Sequence, residues 1–144
     1  MALFTIQLIV PSDIDDNLYE ITQLVKQLSP SAIEANVKRS LESPLNHIVI
    51  ARDMYDKKII GSATLVITHC MTGLRAHVED VIVTELWRGK GVGKALLKKI
   101  IEISQSLHTK TLDLTSRPER ETANSLYQKL GFVRRETNVY RYSL

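Results

Sequence analysis

Three of the chain's six glycines fall in one hexapeptide, Arg88-Gly89-Lys90-Gly91-Val92-Gly93, and its flanks constrain the fold more than any other feature. Before it runs an alternating β-branched stretch, Ala76 to Val83; after it, Ala95, Leu96, Ile100, Ile103 and Leu107 recur as one helical face. The glycines therefore join a strand to a helix. A helix N-terminus carries unsatisfied N–H groups and about half a positive charge, and glycines let an anion approach that backbone closely. With Arg88, Lys90 and Lys94 around it, the hexapeptide reads as an anion cradle suited to a diphosphate, or simply as a tight turn. Its spacing is not that of a nucleoside triphosphate loop, and G-x-G-x-x-G is missing, which counts against a dinucleotide crossover.

Outward from this point the pattern is mixed. A strand, Phe4 to Val10, ends at Pro11, and Leu18, Ile21, Leu24, Val25 and Leu28 form the stripe of a first helix that Pro30 stops. Ser31-Ala32-Ile33-Glu34 has the capping-box pattern, and Ile33, Val37 and Leu41 continue a second helix to Pro44. His47 to Arg52 and Ile59 to His69 read as a hairpin, and a turn at Met71-Thr72-Gly73 leads into Ala76 to Val83. Beyond the glycine loop and its helix come a strand at Thr109 to Thr115, a helix marked by Ala123, Leu126, Tyr127 and Leu130 that Gly131 ends, and two short strands, Phe132 to Arg135 and Val139 to Tyr142. The order β-α-α-β-β-β-α-β-α-β-β predicts an α+β fold: one domain over residues 1–144, with a mixed sheet covered by helices and a parallel crossover at the glycines.

Charge and cysteine usage narrow the class. Nineteen Lys and Arg against sixteen Asp and Glu leave a net charge of +3, too little to imply a nucleic-acid partner. No apolar run approaches the roughly 20 residues of a membrane span, and the opening MALFTIQLIVPSD lacks the marks of a secretory signal. The single Cys70 can make no internal disulfide, so a buried thiol in a reducing, cytoplasmic setting is expected. His69 and His77 lack a third ligand at a recognisable spacing, so no metal is expected. Cys70 has only His69 as a neighbouring base, on the opposite face, which disfavours covalent catalysis.

Val78-Glu79-Asp80-Val81-Ile82-Val83 followed by Arg88-Gly89-Lys90-Gly91-Val92-Gly93 and Ala95-Leu96-Leu97 resembles the signature of the GCN5-related N-acetyltransferases, [QR]-x-x-G-x-[GA] after a strand. Ala123 through Phe132 resembles that family's second block. The resemblance implies the GNAT fold, a largely antiparallel mixed sheet with a splayed parallel strand pair, and acetyl-CoA as cosubstrate. It implies that the diphosphate rests on N–H groups from Arg88 through Lys94, and that the pantetheine runs beside Val81, Ile82 and Val83. Asn124 would bond the pantetheine. An N–H of Ile82 or its neighbour would polarise the thioester carbonyl, and Tyr127 would protonate the departing thiolate.

The acceptor chemistry can be argued from the residues. An aliphatic amine has a pKa of about 10 and must lose a proton before it attacks a thioester. His77 and Glu79 alternate with Val78 and so share a face just before the pantetheine segment; either can be the base, Glu79 first, or both can be structural. Thr64 to Val83 is similar to glucosamine-6-phosphate N-acetyltransferases, but Leu114-Thr115-Ser116 and the insert Arg117 to Thr122 depart from them, and Asp113 is expected to face the other way. Transfer of acetyl to a small-molecule primary amine is the expectation. Acetylation of a peptide amine and a noncatalytic acyl-CoA-binding module are the alternatives, and Val139 to Tyr142 is a candidate pairing edge for a homodimer.

Overall fold

The computed structural model describes residues 3–144, which fall into two compact units, residues 3–114 and Thr115–Leu144. The first holds a five-stranded sheet in chain order, β1 (Phe4–Leu8), β2 (Asn46–Asp53), β3 (Ile59–Cys70), β4 (Gly73–Val83) and β5 (Thr111–Asp113). Neighbours from β1 to β4 are antiparallel, and β4 and β5 are parallel. Helices α1 (Ile14–Leu28), α2 (Glu34–Glu42) and α3 (Val92–Ser106) belong to the same unit. This is the mixed, largely antiparallel α+β arrangement expected from the sequence.

The two faces of the sheet can be told apart because directly opposed residues share a face. Ile48 and Ile50 of β2, Ile59 and Ile82 pack with Ile14, Leu18, Ile21 and Leu24 of α1 and Leu41 of α2 in one apolar cluster. The alternate residues Val49, Ala51, Ala63 and Leu65 are fully buried on the other face. That face meets α3: a Cβ added to Gly61, which opposes Ala51, would lie 3.0 Å from Val92 Cγ1 and 3.1 Å from Leu96 Cδ1. Glycine here lets the first turn of α3 sit directly on β3. On the first face, α1 is tied to the sheet by Glu20, whose Oε2 accepts the Ile59 N–H at 2.7 Å.

Several boundaries differ from the sequence reading. Helix α2 begins at Glu34 with Ile33 as its N-cap and no side-chain cap; the Ser31 hydroxyl lies 3.0 Å from that of Ser29, so the capping box is not made and Ile33 stays exposed. β5 is three residues long, not the seven from Thr109 to Thr115. Cys70 is half-buried.

The second unit contains α4 (Glu121–Lys129), closed by Gly131 at φ 104°. The strands expected at Phe132 to Arg135 and Val139 to Tyr142 are absent: the segment forms no ladder, and Val133, Val139, Tyr140 and Tyr142 are exposed. Alternation supplied strand-like side chains, but none of this backbone is in a strand.

Candidate functional site

β4 is paired unequally on its two sides. Toward β3 the register runs from Gly73 opposite Cys70 to Val83 opposite Gly61. Toward β5 it covers only Arg75, Ala76 and His77, opposite Thr111, Leu112 and Asp113. From Val78 onward, no strand among the described residues pairs with the outer edge of β4. The Thr84 N–H donates to the Ile60 carbonyl at 2.9 Å, so alternation turns Ile82 toward β3 and leaves Val81 and Val83 with their polar groups on the open side. Ile82 is therefore not the open N–H, and its neighbours are. The Val83 carbonyl is taken by Arg88, whose Nε donates to it at 3.1 Å.

A bulge lies within the same stretch. Thr64 opposes Glu79 and Ser62 opposes Ile82, so Ala63 faces both Asp80 and Val81, with Asp80 in the left-handed region at φ 52°. The extra residue breaks the alternation, so Glu79 and Asp80 are consecutively exposed.

After β4 a short 3-10 turn, Glu85–Trp87, leads into the glycine loop. Gly89 and Gly91 have φ of 76° and 85°, values that glycine adopts without the Cβ penalty, and open space surrounds both. Gly91 is the N-cap of α3, and the first helical bond is Ala95 N–H to the Gly91 carbonyl at 3.1 Å. Among the described residues, the N–H groups from Gly89 through Lys94 have no backbone or side-chain acceptor, whereas that of Arg88 donates to Glu85 at 3.2 Å. The Lys90 Nζ is 5.1 Å from the centre of the Trp87 ring, a cation–π distance, and Trp87 meets Phe4 of β1 edge to face at 6.3 Å. The loop is thus anchored to the far strand of the sheet while its amides stay open.

The face of the sheet that carries α1 and α2 continues past them. His77 opposes Val66 and Glu79 opposes Thr64, and both are exposed beside one another on this face. Asp113 opposes His77 across the parallel pair, so it shares that face, contrary to the sequence expectation. The parallel register decides this, and no local pattern reports it. Arg75 lies two residues before His77 on the same face, its Nη1 donating to Thr111 Oγ1 at 3.4 Å and its Nη2 to Thr72 Oγ1 at 3.1 Å. Among the described residues, no group of three or more His, Cys, Asp and Glu could hold a metal, and no helix is long and apolar enough to cross a membrane.

Asn124 and Tyr127 belong to the second unit. The Asn124 Nδ2 donates to the Arg117 carbonyl at 3.0 Å, bracing the segment before α4. Tyr127 is buried, its ring edge-on to Phe132 at 6.1 Å, and its carbonyl accepts the Phe132 N–H at 3.0 Å. A half-buried group that the sequence did not single out is His47, on the α3 face opposite Leu65; among the described residues its buried Nδ1 has no hydrogen-bond partner, and partial burial holds its pKa below the usual 6.5.

The chain is similar to known proteins over most of this architecture. It is 43% identical over 85 residues to a glucosamine 6-phosphate N-acetyltransferase of Trypanosoma brucei brucei, a match spanning 57% of this chain and 56% of that relative's length. The crystal structure of a Trypanosoma brucei acetyltransferase superposes with a TM-score of 0.80 at 27% identity, covering 98% of this chain and 99% of that one. An aminoglycoside N-acetyltransferase solved with CoA shares the fold, with a TM-score of 0.81 at 21% identity over 97% of this chain and 94% of its own. The model of the acetyltransferase (GNAT) family matches residues 16–132. The chain belongs to the acetyltransferase (GNAT) family.

Proposed function

We propose that the protein transfers the acetyl group of acetyl-CoA to a primary amine of a small molecule by direct attack. One observation carries this reading: the unpaired edge of β4 from Val78 to Val83 runs straight into a loop whose N–H groups from Gly89 to Lys94 are free. Such an edge can pair with the amides of a pantetheine arm, and such a loop can hold a diphosphate against a helix N-terminus, with Lys90 and Lys94 adding charge. The glucosamine 6-phosphate N-acetyltransferases among the relatives support an N-acetyltransferase with a small acceptor.

In this reading the Val81 N–H donates to the thioester oxygen as charge builds there. The acceptor arrives as an ammonium ion beside Glu79, His77 and Asp113, and Glu79, or His77 through water, takes its proton. The amine nitrogen then bonds to the thioester carbonyl carbon and the carbon–sulfur bond breaks. Tyr127 delivers a proton to the thiolate, giving amide, CoA thiol and one released proton overall. Tyr127→Phe should lower turnover with little change in CoA affinity, and equal turnover would remove Tyr127 from this role.

The test is thiol release from acetyl-CoA with a panel of amines, aminosugars, aminosugar phosphates and peptides. Turnover with small amines supports the reading. Turnover with peptides alone replaces it by a peptide acetyltransferase, and tight CoA binding without turnover on any acceptor replaces it by a binding module.

A further inference from the structure

Below the acidic end of the acceptor face lies a cation that the reaction itself does not use. Arg75 is half-buried, and among the described residues it has no carboxylate within 4.0 Å. Two threonine hydroxyls hold its guanidinium, Thr111 at 3.4 Å and Thr72 at 3.1 Å. Lys110 converges on the same turn, its Nζ 3.4 Å from the Thr72 carbonyl oxygen. An arginine costs side-chain entropy to orient, and hydroxyl acceptors leave its charge unneutralised, so the arrangement is a pre-oriented fork able to take an anion.

Register sets the distance from this fork to the amine. Arg75 opposes Thr111, and His77 opposes Asp113, so the cationic and acidic rows are two residues apart, about 6.6 Å at 3.3 Å per residue. Glu79 lies two residues further. These are spacings of backbone rows, and by the same count Glu79 is about 13 Å from Arg75. A cation two residues from Asp113 and four from Glu79 on one face suits one kind of acceptor, with an ammonium at one end and an anion at the other of a sugar-sized body.

Building on the proposed acetyl transfer, we propose that Arg75 determines acceptor specificity by binding the anionic group, a phosphate monoester or carboxylate, of an amine whose nitrogen sits at Glu79, His77 and Asp113. Guanidinium geometry favours both oxyanions because two parallel N–H bonds can form to either.

Three acceptors that differ at one ring position test this: glucosamine 6-phosphate, 2-amino-2-deoxyglucuronic acid and glucosamine, each assayed by thiol release. The wild type is expected to prefer the two anionic acceptors, and their relative rates identify which anion is bound. Arg75→Gln should lower the ratio of kcat/KM for the preferred anionic acceptor over glucosamine about ten-fold or more, through KM, as expected for the loss of a charged hydrogen bond. Arg75→Lys should restore part of it. Thr111→Val, which frees the guanidinium from one hydroxyl while keeping its charge, provides a milder second variant that should lower the ratio in the same direction. A ratio unchanged in the Gln and Val variants, or a wild type indifferent to the anion, overturns the assignment of Arg75 while leaving acetyl transfer standing. No thiol release with any of the three acceptors or the wider amine panel overturns the catalytic reading and this inference with it.

Discussion

Two stretches of this chain have strand-like sequence and backbone without partners, and they differ in what holds them. The outer edge of β4 from Val78 to Val83 is open, yet its inner edge is laddered to β3 and Ile82 is buried in the α1–α2 cluster. Residues 132–135 and 139–142 have no ladder, and apart from the half-buried Phe132 they are exposed. Open backbone becomes a candidate site only where the rest of the strand is fixed, because the ordering cost has then been met before any ligand arrives.

Substitutions at four places probe that contrast. Glu79→Gln keeps the strand and removes the first-choice base, so kcat should fall about 100-fold, within the range for general-base catalysis, with His77→Gln smaller. A pH–rate profile whose acidic limb survives in both variants removes the base from this face. Gly61→Val acts on the support instead: its Cβ alone would lie 3.0 Å from Val92 Cγ1 and 3.1 Å from Leu96 Cδ1, closer than ordinary van der Waals contact. Overpacking of this kind costs about 1–3 kcal/mol, and the displaced first turn of α3 should weaken CoA binding. Denaturant melts and calorimetry check both, and a fully stable variant that binds CoA normally would separate the loop from the packing beneath it.

His47 gives the sheet a pH dependence. Its folded pKa lies below 6.5, so the unfolded chain binds more protons between the two values. The contribution to stability is therefore complete above pH 6.5 and is lost as pH falls toward the folded pKa. His47→Gln should flatten that part of the stability curve, and an unchanged curve assigns the acid loss elsewhere. The smallest effect is expected at Val139→Ser and Tyr142→Ser, within about 0.5 kcal/mol for exposed side chains. A larger loss accompanied by a lower light-scattering mass would mean that a second copy covers this segment.

What the sequence disclosed followed from the range of each interaction. The glycine loop, the stripe of α3 and the stop at Gly131 are local features, and their expected places agree with the structure. The bulge at Asp80 depends on how β4 registers with β3, and the side on which Asp113 lies depends on a parallel register set across a helical crossover. Neither relation exists within a window of neighbouring residues. The final two strands failed for a related reason: Val139 to Tyr142 alternates correctly, but alternation cannot say whether an edge is waiting. At α2 the Ser31 hydroxyl had a competing partner in Ser29, which the capping pattern does not weigh.

Trp87 is the chain's one tryptophan, and it stands between Phe4 and the ammonium of Lys90 at the mouth of the glycine loop. Indole emission from the native protein therefore reports on a single place. An anion that draws Lys90 away from the ring changes the charge above the fluorophore, so occupancy of the loop is written into the light the unlabelled protein emits.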